Sequence, residues 1–177
     1  MTTGETETTP VDEVLVNSLV QRVVAAFNAH DAEGFVALMT EDVVVEHSAA
    51  PAPMHGRAEV SAYYTNNLWK AFPDVRMELM DGPFFHPRAP RISFNWFAVG
   101  THTGPLDPPG LAPTGKRVEF DVREIAEIRD GLVSRVRGVV DMVAVSRQLG
   151  MLPASGTREE RAFAMMQRLQ MKLSRHR

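Results

Sequence analysis

The order in which helical and alternating hydrophobic patterns follow one another constrains the fold of this chain more than any other feature. Apolar residues recur at three- and four-residue spacing over residues 11–29, which predicts an amphipathic helix. Residues 30–39 predict a second, short helix, and residues 57–72 predict a third helix that Pro73 ends. The main predicted helices therefore come early in the chain.

Alternation of apolar and polar residues replaces the helical spacing in most of the rest. The predicted strands are 40–48, 75–82, 91–104, 118–129 and a last strand that starts at Leu132 and runs into a short helix ending near Gly150. Asp130-Gly131 predicts a hairpin turn between the last two strands, and the proline-rich residues 105–116 predict a loop. Helices first and long strands later predict an α+β fold, with N-terminal helices on one face of a curved, mostly antiparallel sheet.

The length of 177 residues suits one domain with an appendage. We predict a disordered tail over residues 1–10, which are polar and acidic, and the α+β domain over residues 11–153. Residues 154–177 predict a C-terminal amphipathic helix, because Thr157 and Glu160 have the spacing of a capping box and an apolar stripe follows. This helix is expected to dock on its own domain or on a second subunit, and a membrane-surface helix is the alternative.

Charge and composition exclude several classes of protein. The net charge of −3 predicts no nucleic-acid binding, and no apolar run approaches the roughly 20 residues of a membrane-spanning helix. The N-terminus lacks the basic start and apolar core of a signal peptide. The chain has no cysteine, which excludes disulfides, cysteine nucleophiles and thiolate metal sites. We therefore expect a cytoplasmic protein that binds neither nucleic acid nor membrane.

One carboxylate interrupts the apolar face of the strand predicted over residues 118–129. Side chains alternate between the two faces of a strand, which places Glu124 on the same face as Phe120 and Val122. A buried carboxylate is costly unless it is paired or its pKa rises. Glu124 is therefore either part of a structural salt bridge or a general acid–base group that lines a cavity.

Two histidines interrupt apolar strand faces in the same way. His102 ends the series that contains Phe94 and Trp96, and His47 follows alternating valines. Three strands thus place one polar group each on an apolar face, which favours a shared pocket. These residue types also ligate zinc or iron, but their spacing is not compact, so no metal site is predicted.

The third predicted helix adds two aromatic candidates, Tyr64 and Trp69. Core packing is the simpler interpretation of Trp69, whereas a tyrosine hydroxyl could reach into a cavity and orient a carbonyl. Asp141, at the point where the last strand becomes a helix, is predicted to cap that helix.

Several motifs, taken in order, resemble the SnoaL-like polyketide cyclases of the nuclear-transport-factor-two-like superfamily. They are FNAHD, HGRAEV, AFPDV, VGTHTGPL, PTGKRVEF, IRDGLV and RQLG, and the resemblance covers residues 12–153. It implies a cone-shaped α+β fold in which a curved sheet wraps around helices and encloses one deep apolar pocket. The namesakes of the family close a ring of a polyketide by aldol condensation, without metal or cofactor, and an acidic residue acts as general acid–base. Their relatives open epoxides, isomerise, dehydrate or only bind ligands.

The match to the family's site is partial. The catalytic aspartate of the namesakes falls at Gly138, and one of their pocket histidines falls at Glu124. His47 and His102 match histidines that are common in the family, and Asp141 matches an aspartate that looks structural. The resemblance therefore leaves Glu124 as the candidate acid–base group.

These observations lead to a hypothesis of a cofactor-independent cyclase or isomerase that acts on a small, hydrophobic, polyketide-like molecule. Glu124 would donate or accept the proton, His47 and His102 would orient a substrate oxygen, and Tyr64 would assist. The residues predicted to shape the pocket are Trp69, Trp96, Phe94, Phe120 and Val122. A homodimer that pairs through the outer face of the sheet is also expected.

Two other functions remain as alternatives. Gly138, where the family has its acid, favours a non-catalytic protein that binds a hydrophobic ligand. Epoxide opening would need a carboxylate, an arginine and a second carboxylate around a water. Glu124, Arg137 and Asp141 supply the types, but alternation places Arg137 on the face opposite Glu124.

Overall fold

The structure is a computed structural model that describes residues 12–108 and 110–174. The disorder predicted for residues 1–10 lies outside these residues. The helices are α1 Glu13–Ala29, α2 Ala32–Ala37, α3 Gly56–Tyr63, α4 Trp69–Ala71, α5 Met142–Leu149 and α6 Arg158–Ser174, with a π-helical turn, Tyr64–Leu68, between α3 and α4. The strands are β1 Met39–His47, β2 Met54–His55, β3 Arg76–Phe85, β4 Arg91–Thr101, β5 Arg117–Arg129 and β6 Leu132–Val140.

Helix α1 forms where the helical spacing predicts it, and its ends have recognisable caps. The Asp12 carboxylate accepts hydrogen bonds from the Val14 and Leu15 N–H groups, at 2.9 and 3.3 Å. His30 ends the helix in the left-handed conformation, with φ of 54°. The side chains that α1 buries against the sheet are Val16, Leu19, Val20 and Phe27.

The strands of the described residues form one sheet in the order β2-β1-β6-β5-β4-β3. Strands β1 and β6 run parallel, and the other neighbours are antiparallel. The hairpin predicted between β5 and β6 is confirmed, since Asp130 and Gly131 both have positive φ, 52° and 76°, as a tight two-residue turn requires. The sheet does not close, and its inner face wraps around the N-terminal helices. The predicted α+β cone is therefore confirmed.

The largest differences from the prediction are the ends of two strands and the interruption of one helix. Strand β3 continues past residue 82 to Phe85, because Gly82 adopts a φ of 97° and register shifts around Asp81 bend the strand while it stays paired with β4. Strand β4 ends at Thr101 and not at residue 104. The helix predicted over 57–72 is interrupted by the π-helical turn, which hydrophobic spacing does not reveal.

The C-terminal extension touches its own domain mainly through its first turn. Arg147 of α5 forms an ion pair with Glu160 at 3.2 Å, and the Thr157 hydroxyl accepts the Glu160 N–H. The apolar side chains farther along α6, such as Phe163 and Leu169, are exposed. Their docking on the same domain is therefore not seen. Within the described chain, no helix combines the length and apolar character needed to cross a membrane.

Candidate functional site

A cavity of about 230 Å³ opens between the helices and the concave face of the sheet. Its wall combines residues from α1, β1, the π-helical turn, β5, α5 and the loop that follows β4. Most of this wall is apolar, and Phe120 and Val122 contribute to it from β5, as their strand face predicts. The carboxylate of Glu124 and the imidazole of His47 interrupt the apolar wall.

The Glu124 carboxylate is held in place by one hydrogen bond. Trp96 lies on the neighbouring strand β4 and donates its indole N–H to Glu124 Oε2 at 2.8 Å. The other oxygen, Oε1, lies 3.9 Å from His47 Nε2, and the Glu124 side chain is only 15% exposed. No arginine or lysine forms an ion pair with Glu124 among the described residues. One oxygen is therefore fixed, and the other is available at the cavity wall.

His47 reaches the same point from β1, at the other side of β6. The Ala49 N–H donates to His47 Nδ1 at 3.3 Å. Because Nδ1 is an acceptor, the proton of a neutral imidazole belongs on Nε2, the atom that faces Glu124. The distance of 3.9 Å is too long for a hydrogen bond, so the two groups form an open pair at the wall.

Gly138 makes this pair possible. It lies on β6 directly between the two residues, in register with His47 on one side and with Glu124 on the other. A Cβ at this position would overlap the His47 ring and lie 2.9 Å from its Nε2 and 3.1 Å from Glu124 Oε1. The residue that stands where the resemblance places an aspartate therefore leaves room for a histidine and a glutamate from the two flanking strands.

The apolar surroundings keep His47 uncharged near neutral pH and shift the titration of Glu124 to that pH range. Burial raises the pKa of Glu124 to about 7, although the hydrogen bond from Trp96 acts in the opposite direction. Burial lowers the pKa of His47 to about 4. Between about pH 4 and 7 the pair is thus an uncharged acid beside an uncharged imidazole, and above pH 7 it is a carboxylate beside an N–H donor.

Tyr64 and Tyr63 both line the cavity from the helical side. Burial, and next the charge of Glu124, raise the pKa of Tyr64 well above its ordinary value, and burial raises the pKa of Tyr63 to about 12. Tyr63 is the last residue of α3, and the π-helical turn, which starts at the next residue, holds Tyr64. The turn also brings in Asn67, whose side chain donates to the Asp107 carbonyl oxygen. No sequence signal distinguished Tyr63 or Asn67.

The predicted pocket residues on other elements divide into two groups. Phe94 and Trp96 line a second, smaller cavity that also borders Glu124 and Tyr64. Trp69 lines neither cavity, which corrects its expected role: it is buried, stacks on His30 with ring centres 5.2 Å apart, and packs against Phe27. Its interpretation as a core residue is the one that the structure supports.

His102 requires the main correction, because it does not line the cavity. It is fully buried just beyond the end of β4, where its Nδ1 accepts the Thr114 N–H at 3.2 Å and lies 3.1 Å from the Thr114 hydroxyl. Backbone hydrogen bonds join the same segments: the His102 N–H donates to Lys116, and the Gly115 N–H donates to His102. His102 therefore holds the loop after β4 and is not placed to touch a substrate in the cavity.

The arrangement considered for epoxide opening does not form. Arg137 lies on the outer face of the sheet, where its Nε donates to Glu46 at 2.6 Å. Asp141 caps α5 by accepting the Val143 and Ala144 N–H groups at 3.0 and 2.9 Å, so the predicted capping role is confirmed. No cluster of three or more histidines, aspartates or glutamates suited to a metal ion occurs in the described parts of the chain.

This chain is similar to known proteins both in a family model and in solved structures. The model of the family described as SnoaL-like polyketide cyclase matches residues 17–149. AclR from Streptomyces galilaeus, a candidate hydroxylase, is 24% identical over 93% of this chain and 98% of its own, with a TM-score of 0.67. IdmH from Streptomyces antibioticus, a candidate polyketide cyclase, is 23% identical over 76% of this chain and 97% of its own, with a TM-score of 0.62.

A third similar structure, from Catenulispora acidiphila, has a ketosteroid isomerase-like fold and contains trimethylamine. It is 16% identical over 78% of this chain and 96% of its own, with a TM-score of 0.62. At these identities the likeness to the solved structures establishes the fold alone.

Proposed function

We propose, from the premise that the chain belongs to the SnoaL-like polyketide cyclase family, that it is a cofactor-independent cyclase or isomerase. Its substrate would be a small, hydrophobic, polyketide-like carbonyl compound. The observation that carries this proposal is the open pair of Glu124 and His47, whose facing atoms lie 3.9 Å apart at the wall of an apolar cavity.

In the proposed reaction, Glu124 removes a proton from the carbon next to a substrate carbonyl. The electron pair of the broken C–H bond moves into the carbonyl, and the resulting enolate oxygen accepts a hydrogen bond from His47 Nε2–H. In a cyclase the enolate carbon then attacks a second carbonyl of the same molecule, the π electrons of that carbonyl move to its oxygen, and the resulting alkoxide takes the proton back from Glu124. In an isomerase Glu124 returns the proton to a different carbon.

The protonation states support this division of roles. A general base works best when its pKa lies near the operating pH, and burial raises the pKa of Glu124 to about 7. An uncharged imidazole that keeps its proton on Nε2 acts as a hydrogen-bond donor throughout this range, since the pKa of His47 is about 4. The cavity exceeds the roughly 150 Å³ that holds a benzene molecule, so a ring skeleton has room beside the pair.

Exchange of deuterium from D₂O into a simple ketone tests the proposal without knowledge of the natural substrate. We suggest 2-tetralone, which has acidic C–H bonds next to its carbonyl, followed by NMR. The Glu124→Gln variant keeps the acceptor for the Trp96 N–H but cannot take a proton, so the catalysed rate should fall by about 10²–10⁴-fold. The rate of the unaltered protein should rise with pH around 7.

The matched control is Glu119→Gln, which changes an exposed carboxylate on the outer face of the same strand. It should exchange at the unaltered rate. An equal rate in the Glu124→Gln protein would remove Glu124 from the mechanism.

Binding of a hydrophobic ligand without catalysis is the second candidate function. Gly138 favours it, because the residue at this position supplies no acid, and so does the mostly apolar wall. Saturable binding of the ketone with no catalysed exchange, in the unaltered protein at any pH between 6 and 9, would support this alternative.

We also propose that the protein works in the cytoplasm as a homodimer that pairs through the outer face of the sheet. The apolar side chains of Ile125 and Val139 are about half exposed or more on the outer face of the neighbouring strands β5 and β6. Sedimentation of the Ile125→Lys, Val139→Lys double variant at monomer mass, with the unaltered protein at dimer mass, is the expected result. A monomeric unaltered protein would contradict the proposal.

A further inference from the structure

The smaller cavity lies on the far side of Glu124 from the main one. It has a volume of about 50 Å³, and Glu124 and Tyr64 line both cavities, so these two side chains form the boundary between them. Helix α1 contributes Val20 to its wall, and the sheet contributes Ala126 and Val136. The cavity therefore extends the site inward, toward the packed core.

The wall of this smaller cavity is almost entirely apolar. Apart from the two boundary residues, every lining side chain is an aliphatic residue, a methionine, a phenylalanine or Trp96. The polar atom of Trp96 is already used, because its N–H donates to Glu124. A buried water needs two to four polar partners, which this wall does not offer beyond the boundary. A hydrocarbon group fits the cavity, whereas a hydroxyl or an amide would lose its hydrogen bonds there.

We propose that this cavity, which we call the inner cavity, is a subsite for a short alkyl group of the substrate. The inference rests on the proposed function, which places the reacting carbon, the one next to the substrate carbonyl, beside Glu124. An alkyl group attached next to the reacting carbon then points past the carboxylate into the inner cavity. The substrate class becomes a ring-bearing ketone with a methyl to propyl substituent at this position.

The size of the inner cavity sets the length of the group. Its volume of about 50 Å³ is roughly a third of the 150 Å³ that an engineered apolar cavity offers to benzene. Two or three carbons fill such a space, and a longer chain must displace the wall. Each buried methylene should tighten binding by about fourfold until the cavity is full.

Binding of three phenyl ketones tests the proposal. Acetophenone, propiophenone and butyrophenone differ by one methylene at each step, and calorimetry gives their dissociation constants. In the unaltered protein the first added methylene should tighten binding by about fourfold. In the Ala126→Val variant, whose extra methyl groups fill the inner cavity, this gain should disappear. Val20→Ile fills the inner cavity from the opposite wall, so it provides a second test of the same loss if Ala126→Val does not fold.

A matched control separates the two cavities. Ala98 lies on β4 and lines the main cavity only, so Ala98→Val should weaken the binding of all three ketones together and leave the gain per methylene intact. A gain that survives in both Ala126→Val and Val20→Ile, or no gain in the unaltered protein, would overturn the subsite.

The result is separable from that of the exchange experiment. Binding of the ketones needs no turnover, so a loss of the acid–base role of Glu124 would leave the methylene gain in place. Conversely, suppose that the added methylene fails to tighten ketone binding while Glu124→Gln abolishes exchange. That result would rule out the subsite and leave the proposed function standing.

Discussion

His47 and His102 each end an apolar series on a strand, yet they lie in different kinds of surroundings. His47 still belongs to β1, and its Nε2 faces Glu124 across an open distance of 3.9 Å at the cavity wall. His102 lies one residue past the end of β4, is fully buried, and uses its Nδ1 to hold Thr114. Sequence pattern alone treats them alike. The difference teaches that the open pair offers hydrogen-bonding atoms to a ligand in the cavity, whereas the contact of His102 with Thr114, which we call the clamp, uses Nδ1 within the fold and leaves Nε2 buried away from the cavity.

The largest difference between the two histidines is expected when each is replaced, one at a time, by phenylalanine. His47→Phe keeps a ring but removes the Nε2–H donor, so the exchange rate at saturating 2-tetralone should fall by about 10²–10³-fold. His102→Phe removes the hydrogen bond to Thr114 but no group at the cavity, so the same rate constant should be unchanged. Equal losses of rate constant in both variants would erase the distinction between pair and clamp.

The pair should also reveal itself in the pH dependence of the free energy of unfolding. The pKa of Glu124 is about 7 in the folded protein against 4.5 in the unfolded chain, so its contribution to stability falls as pH rises from 4.5 to 7. The pKa of His47 is about 4 against 6.5, so its contribution rises over pH 4 to 6.5. The two slopes oppose each other, and each amounts to about 3 kcal/mol.

Single variants of the pair should therefore separate the slopes that cancel in the unaltered protein. With Glu124→Gln, stability relative to the unaltered protein should grow by about 3 kcal/mol as pH rises through this interval, and with His47→Phe it should decline by a similar amount. Urea denaturation at half-unit pH steps measures both. The double variant is the control, because it lacks both slopes. Parallel profiles for the two single variants would contradict the opposed pKa shifts.

The clamp should respond in stability and ligand binding, without a change in how the rate depends on pH. Thr114→Val removes the hydroxyl that lies 3.1 Å from His102 Nδ1, and the free energy of unfolding should fall by about 2 kcal/mol. The loop that follows β4 also supplies Leu106 and Pro108 to the cavity wall, so ketone binding should weaken. A shift in the pH midpoint of exchange would place the clamp in the acid–base chemistry after all.

Much of the fold was predictable because its signals are local. The helical spacing of α1, the Asp130-Gly131 turn and the alternation along β5 each act within a few residues, and together they predicted the α+β order. Alternation also identified Glu124 as a carboxylate on an apolar face. The resemblance then supplied the expectation of a cavity on that side of the sheet.

The rest of the site depends on relations between distant segments. Alternation assigns a face but does not fix where a strand ends, so it could not tell that β4 stops before His102. The π-helical turn that brings Asn67 to the cavity has no spacing signal. The role of Gly138 requires the register of β1, β6 and β5 together, which only the folded sheet defines.

Gly138→Ala tests whether that register is what creates the open pair. The added methyl group would meet the His47 side chain and the Glu124 carboxylate, and no left-handed conformation at residue 138 opposes alanine, so the fold should persist while the imidazole moves. We expect the exchange rate to fall by about tenfold, less than the roughly 10²-fold that a 1 Å misplacement can cost, because the ring can rotate. An NMR titration should show the pKa of His47 rising from about 4 as the ring leaves its buried position. Val139→Ala, on the outer face one residue away, is the matched control and should alter neither quantity. If Gly138→Ala matches this control, the missing Cβ has no part in positioning the pair, and the contrast between pair and clamp would have to rest on His47 and Glu124 alone.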